Sequence, residues 1–288
     1  MSAIERFVTG VDGLDAILRG GLARGGVYLV EGPAGVGKTI LANQVAFHHA
    51  SRGSTALYVT LLAETHARMV LHMRDMSFFD AALLPANVRY LSAFKPLEDE
   101  GLSGLLTLLR RSLVEHTPTL LVIDGLGSAE EVAQSHLPSV ARADSSSLRE
   151  VIGISQFKLF LNELQTIAGM TGCTVLMLSS AEQPLRYRPA HTMVDGIIDL
   201  SFDATDLRPV RHVQITKIRG VAQEVGRHVY TIDENGIHVY PRFETQVPDK
   251  RELVTQSHGA TQPIAFGLPG LDEMIPEGLP SGSMTMLL

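Results

Sequence analysis

The segment "GPAGVGKT", Gly32–Thr39, decides the fold expected of this chain. It matches the pattern G-x-x-x-x-G-K-[ST] without a gap, and its glycines let successive backbone N–H groups point inward at phosphate oxygens. The residues before it, "GVYLVE", have the composition of a buried strand, and "TILANQVAFHHASR" has a helical pattern. Because a phosphate-binding loop connects a strand to a helix, both flanks predict a nucleotide-binding α/β domain.

The backbone and the side chains of this loop are both expected to bind ATP. The loop amides and the N-terminal end of the following helix favour anionic phosphates. The Lys38 ammonium is expected to reach the β- and γ-phosphates and to take part in catalysis, and the Thr39 hydroxyl is expected to ligate Mg²⁺. The predicted nucleotide-binding residues of the loop are Gly32, Pro33, Ala34, Gly35, Val36, Gly37, Lys38 and Thr39.

Two acids outside the loop are candidates for the remaining chemistry. Asp124 follows the apolar run "TLLVI" and is predicted to hold Mg²⁺ from the end of a neighbouring strand, although an aspartate there can also simply cap a turn. Glu64 is the only acid in "LLAET", after the second predicted strand, and we predict that it polarises the attacking water. The alternative for Glu64 is an acid favoured by the dipole at the start of a helix.

The pattern along the chain predicts the architecture. Short β-rich runs alternate with helical segments as far as "CTVLMLSS", and four further strand-like runs then follow with hairpin-like turns. We therefore expect a mostly parallel central sheet flanked by helices, with a C-terminal antiparallel extension. Residues 125–155 are expected to be an irregular excursion and residues 246–262 a polar linker, which places the first domain at residues 1–245.

Composition excludes several classes of protein. The chain has 288 residues, a formal net charge of −7 and 45% hydrophobic residues, which is typical of a globular fold and argues against nucleic acid as a partner. No apolar run approaches the roughly 18 residues of a membrane helix, so no membrane association is expected. The single cysteine, Cys173, cannot form a disulfide framework, and this suits a reducing cytoplasm.

The C-terminal residues repeat an earlier part of the chain. Aligning Gly267–Leu288 with Gly10–Glu31 at a constant offset of 257 residues gives seven identities in 22 positions. Chance at ordinary composition gives about one or two. The closing run "MTMLL" has the character of a buried strand, and the next position would correspond to Gly32. We therefore expect residues 263–288 to be the truncated beginning of a second repeat.

This repeat and the opening "TGVDGLDAILRGGLARGGVYLVEGPAGVGKT" resemble the KaiC family, circadian-clock-type ATPases within the RecA-like superfamily. The resemblance implies a RecA-like fold, a hexameric ring with ATP between subunits, and slow hydrolysis in the first repeat. It also implies a serine/threonine autokinase in a complete second repeat. Asp124 matches the family's Walker B acid, whereas Ala63-Glu64 stands where clock-type members have paired glutamates.

The segment "KIRG", Lys217–Gly220, carries two cations two residues apart on a predicted strand, so both side chains leave the same face. From the pattern alone, a pair of solvated surface charges is an equal alternative. The segment also matches the family's K-x-R-G, whose cations reach the nucleotide of the neighbouring subunit, and Lys217 and Arg219 are therefore predicted to bind ATP. The family histidine three residues beyond the glycine is replaced here by Gln223.

These features predict a cytoplasmic, ring-forming ATPase with a regulatory or signalling role and protein partners that the sequence does not identify. One alternative is a DNA-dependent ATPase of the recombinase or helicase type, which would need basic loops facing the centre of the ring. The excursion after the fourth predicted strand carries four acids and two arginines, which argues against it. A second alternative is an ATP-gated scaffold without significant turnover, supported by the missing second glutamate.

Overall fold

The computed structural model describes residues 5–63, 66–135, 146–180, 189–203, 209–220, 222–246, 263–279, 284 and 286. Its strands are β1 (Arg6–Phe7), β2 (Leu22–Ala23), β3 (Val27–Gly32), β4 (Ala56–Thr60), β5 (Val88–Ser92), β6 (Leu120–Asp124), β7 (Thr174–Ser180), β8 (Gly196–Asp203), β9 (Val210–Ile218), β10 (Arg227–Asp233) and β11 (Gly236–Tyr240).

The helices lie mostly between these strands. They are α1 (Leu14–Ile17), α2 (Lys38–Ser51), α3 (His66–Met73), α4 (Phe94–His116), α5 (Leu126–Ser135), α6 (Ser146–Thr171), α7 (Pro189–Met193), α8 (Phe243–Gln246) and α9 (Pro269–Met274). In the part of the chain that the structure describes, none of them is both long and apolar enough to cross a membrane. The chain forms two compact units, Met1–Arg242 and Phe243–Leu288.

A nine-stranded sheet organises the first unit, in the order β11-β10-β9-β8-β3-β7-β6-β4-β5. The strands from β8 to β5 in this order are all parallel, with β3 between β7 and β8 and with β6 between β7 and β4. The strands from β8 to β11 pair antiparallel. This arrangement confirms the predicted fold class, including its antiparallel extension.

The sheet separates the two larger hydrophobic cores of the described residues. All six residues of β3 are buried, because a central parallel strand is covered on both faces. Tyr28 and Val30 belong to the core on the side of α2, whereas Leu29 belongs to the core formed with α4, α5 and α6. Burying each aliphatic side chain stabilises the fold by roughly 1.5–3 kcal/mol, so this strand anchors the loop that follows it.

The segment from Gly125 to Ser155 is helical at both of its ends, so the prediction of an irregular excursion was wrong there. α5 begins directly after Gly125 and buries Leu126, Ala129 and Ala133, which lie three and four residues apart on one helical face. Small side chains let α5 pack closely in the core that it shares with α4 and α6. Residues 136–145 lie outside the described residues.

The two copies of the repeated motif contain the same antiparallel contact, each within its own unit. In the first unit Phe7 pairs with Leu22, where β1 meets β2. In the second unit Ile264 forms a bridge with Leu279, and both of its residues stand 257 positions after the first pair. The similarity of the two segments is therefore present in backbone pairing as well as in sequence.

A carboxylate closes the turn in both copies. Asp15 accepts a hydrogen bond from the backbone N–H of Thr9 at 2.8 Å. Asp272 accepts the equivalent bond from the N–H of Phe266 at 2.7 Å. Both bonds span six residues. Each copy of the motif therefore contains the aspartate that stabilises its own turn.

The closing run "MTMLL" does not form a buried strand at its two described positions. Met284 and Met286 are exposed and lie outside any strand, so the prediction was wrong for these residues. Their counterparts in the first unit, Val27 and Leu29, lie in β3 between β7 and β8. An apolar run becomes a buried strand only where neighbouring strands and helices cover it.

Candidate functional site

The loop between β3 and α2 is strongly curled, as the phosphate-binding motif requires. Gly35 has a φ of 74°, in the left-handed region that favours glycine, and a Cβ added there would meet no atom within 4 Å. A Cβ added at Gly32 would lie 2.1 Å from the Leu200 carbonyl oxygen. Gly32 therefore lets the loop lie close to the sheet, whereas Gly35 keeps its outer side open to a ligand.

Lys38, the first residue of α2, reaches back over the loop. Its Nζ donates hydrogen bonds to the carbonyl oxygens of Gly32 at 2.8 Å and Pro33 at 2.9 Å. Hydrogen bonds between an ammonium and phosphate oxygens are stronger than those to neutral carbonyls. The ammonium can therefore exchange these partners for the oxygens of a triphosphate bound at the loop.

Thr39 and Asp124 meet at the same end of the sheet, although they are 85 residues apart in sequence. The Thr39 hydroxyl donates to Oδ2 of Asp124 at 3.2 Å. A hydroxyl and a carboxylate fit Mg²⁺, which takes few protein ligands and completes its octahedron with phosphates and water. Among the described residues no three His, Cys, Asp or Glu side chains cluster as a metal site.

Tyr58 holds the Asp124 carboxylate from the neighbouring strand. Its hydroxyl donates to Oδ2 of Asp124 at 2.8 Å, and its side chain is fully buried. Burial, reinforced by the nearby carboxylate, holds the pKa of Tyr58 well above its ordinary value. The phenol therefore stays protonated and fixes the orientation of the acid.

A cavity of about 400 Å³ lies over these groups. Helix α3 forms its apolar side through Met69 and Met73, which are otherwise buried in the core. The lining residues are Ala34, Gly35, Lys38, Thr39, Ile40, Thr60, Leu62, His66, Met69, His72, Met73, Asp124 and Ser180.

Four polar residues that line this cavity were not predicted from the sequence: Thr60, His66, His72 and Ser180. Two of them, Thr60 and His66, contact each other. Thr60 is the register partner of Asp124 on the neighbouring strand, and its hydroxyl lies 2.9 Å from His66 Nε2. Burial lowers the pKa of His66, and a backbone hydrogen bond to Leu91 opposes this effect. The available signal was the threonine at the end of "TALYVT", but its importance depends on which strand lies beside β4.

Glu64, the predicted catalytic acid, lies outside the described residues, as does Thr65. Among the described residues near it in sequence, Leu62 lines the cavity and His66 begins α3. Its role in polarising water stays a prediction.

Lys217 and Arg219 lie at the opposite end of the parallel sheet and are not among the residues that line this cavity. The N–H of Arg219 donates to the Asp195 carbonyl at 2.7 Å, and the N–H of Asp195 donates to the Val27 carbonyl at 2.8 Å. Arg219 is therefore level with the start of β3, about 16 Å along the strand from Gly32 at 3.3 Å per residue.

Both cations bind the C-terminal end of α7. The Lys217 ammonium donates to the carbonyls of His191 and Thr192 at 2.8 and 3.0 Å. The Arg219 guanidinium donates to those of Thr192 and Met193 at 2.8 and 3.1 Å. Because both reach the Thr192 oxygen, they share one face, as their spacing predicted. Gln223, in the position of the family histidine, donates to the Ile215 carbonyl at 3.0 Å.

The same helix contacts the residue that precedes the phosphate loop. His191 Nε2 lies 2.8 Å from Oε2 of Glu31, which is buried directly before Gly32. Asp199 is the register partner of Glu31 on β8. Burial, reinforced by the charge of Glu31, raises the pKa of Asp199. α7 therefore contacts side chains from both ends of the parallel sheet.

A family model described as "ATPase: KaiC" matches residues 7–244. The chain belongs to the KaiC family of ATPases. The match covers the phosphate loop, both ends of the parallel sheet and the whole antiparallel extension.

Individual relatives are similar over most of this chain. A UPF0273 protein from Thermotoga maritima is 27% identical, with 83% of this chain and 97% of the relative covered. The circadian clock oscillator protein KaiC from Prochlorococcus marinus is 23% identical over 99% of this chain, which spans 54% of that protein. The crystal structure of a KaiC-like protein from Pyrococcus horikoshii has the same fold, with a TM-score of 0.65, 22% identity, and coverage of 83% of this chain and 100% of that one.

Proposed function

We propose that this KaiC-family chain binds ATP with Mg²⁺ and hydrolyses it slowly. The observation that carries this proposal is the convergence of Lys38, Thr39 and Asp124 on one cavity at the phosphate loop. The three side chains come from the two elements that a P-loop ATPase requires, the helix after the loop and a neighbouring strand.

Each residue would act on a different part of the substrate. The loop amides and Lys38 bind the β- and γ-phosphates and offset their negative charge. Thr39 and Asp124 would hold Mg²⁺, which neutralises charge that develops on the phosphate oxygens during transfer. Glu64 is proposed to accept a proton from the attacking water. Water then adds to the γ-phosphorus, and ADP leaves with the electron pair of the broken bond.

We further propose that ATP bridges neighbouring copies of the chain in a ring, with six subunits as the expected number. The support is the position of Lys217 and Arg219, about 16 Å along the sheet from their own phosphate loop and on a surface from which they could meet another copy. A nucleotide that needs both surfaces stabilises the assembled state by mass action. A cytoplasmic regulatory role follows as a proposal from the clock relatives, and autokinase activity stays a prediction for a second repeat.

Sizing by light scattering, with and without Mg·ATP, tests this proposal together with a phosphate-release assay. The wild-type chain should assemble when Mg·ATP is added and should release phosphate. Lys38→Ala should bind no ATP, remain small and release no phosphate, because phosphate charge is then uncompensated. Glu64→Gln should assemble normally and release phosphate about 100-fold more slowly. A Lys38→Ala variant that releases phosphate at the wild-type rate would contradict the proposed function.

A further inference from the structure

Thr60 places a hydroxyl beside the acid of the nucleotide pocket. It is the last residue of β4 and the register partner of Asp124 on β6, so the two side chains leave the same face of the sheet. Thr60 is 7% exposed and lines the same cavity as Lys38 and Thr39. Neighbouring strands lie about 5 Å apart, so a group bound over Asp124 also lies near this hydroxyl.

His66 determines which hydrogen-bonding role this hydroxyl takes. Its Nε2 lies 2.9 Å from Thr60 Oγ1. Burial lowers the pKa of His66 and so favours the neutral imidazole, and a backbone hydrogen bond to Leu91 opposes this effect. With the single proton of the neutral ring on Nδ1, Nε2 accepts and the Thr60 hydroxyl donates to it.

A series of side-chain contacts connects the His66 imidazole to the helix that follows the phosphate loop. The His66 ring packs against Tyr90 at a centroid distance of 5.8 Å. The Tyr90 hydroxyl donates to Asn43 Oδ1 at 2.6 Å, and Asn43 Nδ2 donates to the Thr39 carbonyl at 2.8 Å. Because Asn43 and Thr39 both belong to α2, the position of the imidazole is tied to the helix that carries the phosphate-binding residues.

We infer that Thr60 accepts a hydrogen bond from the water that attacks the γ-phosphate, and that His66 is the positioning residue that makes it an acceptor. The Thr60 hydroxyl donates its hydrogen bond to His66, so the lone pairs of Oγ1 are available to accept hydrogen bonds from groups in the cavity. A water with one O–H directed at Thr60 has its own lone pair free to face the γ-phosphorus. This inference rests on the proposed ATP hydrolysis and adds a residue to it.

The chemical step needs no further reactant. The water oxygen forms a bond to the γ-phosphorus while the bond from that phosphorus to the β–γ bridging oxygen breaks, and its electron pair leaves with ADP. Of the two water protons, one stays on the phosphate product, and the other passes to the general base of the proposed function and from there to solvent. Thr60 orients the water through a hydrogen bond and keeps its own proton throughout.

Paired substitutions at Thr60 test the inference through phosphate release by the full chain. Thr60→Val keeps the shape of the side chain but removes the acceptor, and it should lower kcat by about 10- to 100-fold with little change in KM. Thr60→Ser keeps the hydroxyl and should lose no more than about threefold. Thr231→Val serves as the matched control, because Thr231 lies on β10, contacts Tyr240 at 3.3 Å and is not among the lining residues of this cavity.

Substitutions at His66 separate positioning from packing. His66→Gln places an amide oxygen near the position of Nε2 and should recover a large part of kcat. His66→Phe keeps a ring against Tyr90 but has no acceptor, and it should lower kcat about as much as Thr60→Val. Equal losses in the Gln and Phe variants would mean that His66 acts only through packing, and this would overturn its assigned role.

Lys38→Ala distinguishes failure of this inference from failure of the proposed function. Phosphate release that depends on Lys38 but is unchanged in Thr60→Val overturns the inference alone. Release that is independent of Lys38, or a wild-type chain that releases none, overturns both. A Thr60→Val variant with lower kcat, unchanged KM and an unchanged unfolding temperature supports the inference.

Discussion

The two ends of the parallel sheet can be compared directly, because each holds cations in a different way. Where β3 meets α2, Lys38 lies over the phosphate loop, with Asp124 and Tyr58 from neighbouring strands close to its helix. At the other end, Lys217 and Arg219 bind three consecutive backbone carbonyls of α7. One end is a cavity, and the other is a surface patch of two charges.

The difference shows what each end can do alone. The cavity brings together an ammonium, a hydroxyl and a carboxylate in fixed positions, which is what binding of a magnesium nucleotide requires. The patch offers charge without a cavity. Its hydrogen-bond acceptors are neutral carbonyls that phosphate oxygens can replace, and the Asp195 carboxylate lies 3.7 Å from the Arg219 guanidinium. In the proposed ring, a complete site combines the cavity of one copy with the patch of another.

The largest expected effect comes from mixing two inactive variants. Lys38→Ala removes the function of the cavity, and a double Lys217→Ala/Arg219→Ala variant removes that of the patch. Each alone should lose at least about 100-fold in phosphate release. A mixture should recover a measurable fraction, since some interfaces then combine an intact cavity with an intact patch. A mixture no more active than the sum of its parts would mean that the two ends do not form a shared site.

A smaller effect is expected from Tyr58→Phe. This substitution tests how much Tyr58 contributes to orienting the Asp124 carboxylate before Mg²⁺ and nucleotide bind. The change removes one hydrogen bond to the Asp124 carboxylate, and such bonds contribute about 1.5–3 kcal/mol. The Mg²⁺ concentration for half-maximal phosphate release should rise about tenfold or more. Tyr240→Phe is the matched control, because Tyr240 is 54% exposed in the antiparallel extension. An unchanged Mg²⁺ requirement in Tyr58→Phe would show that Asp124 needs no support from Tyr58.

The smallest effect is expected where the two ends are linked through α7. His191→Gln alters the contact with Glu31, but the His191 side chain is 41% exposed, and such contacts contribute about 0–1 kcal/mol. Phosphate release should change by no more than about threefold, and the unfolding temperature by a few degrees. A loss as large as that of the Lys217→Ala/Arg219→Ala variant would mean that the two ends act as one unit through this helix.

Local sequence was sufficient to predict those parts of the site whose residues lie in one continuous segment. The curled loop and the helix start at Lys38 follow from glycine spacing and the flanking elements. The shared face of Lys217 and Arg219 follows from the two-residue period of a strand. These features depend on neighbours within a few residues, which the sequence displays directly.

The site contacts that the sequence did not predict depend on the order of the strands in the sheet. Tyr58 and Asp124 are 66 residues apart and meet only because β4 lies beside β6. The role of Thr60 has the same origin. α5 was missed for a different reason: its buried face uses Ala129 and Ala133, and small residues give little hydrophobic signal even when they pack in a core.

The carboxylate that closes each copy of the repeated motif also bears on the order of folding. Asp15 meets the N–H of Thr9 across six residues, whereas the bond that joins Asp195 to Val27 spans 168. Closing a short loop costs less chain entropy and occurs sooner. We expect this corner to become ordered before the sheet is complete, so that it is present as a template when β3 reaches its neighbours.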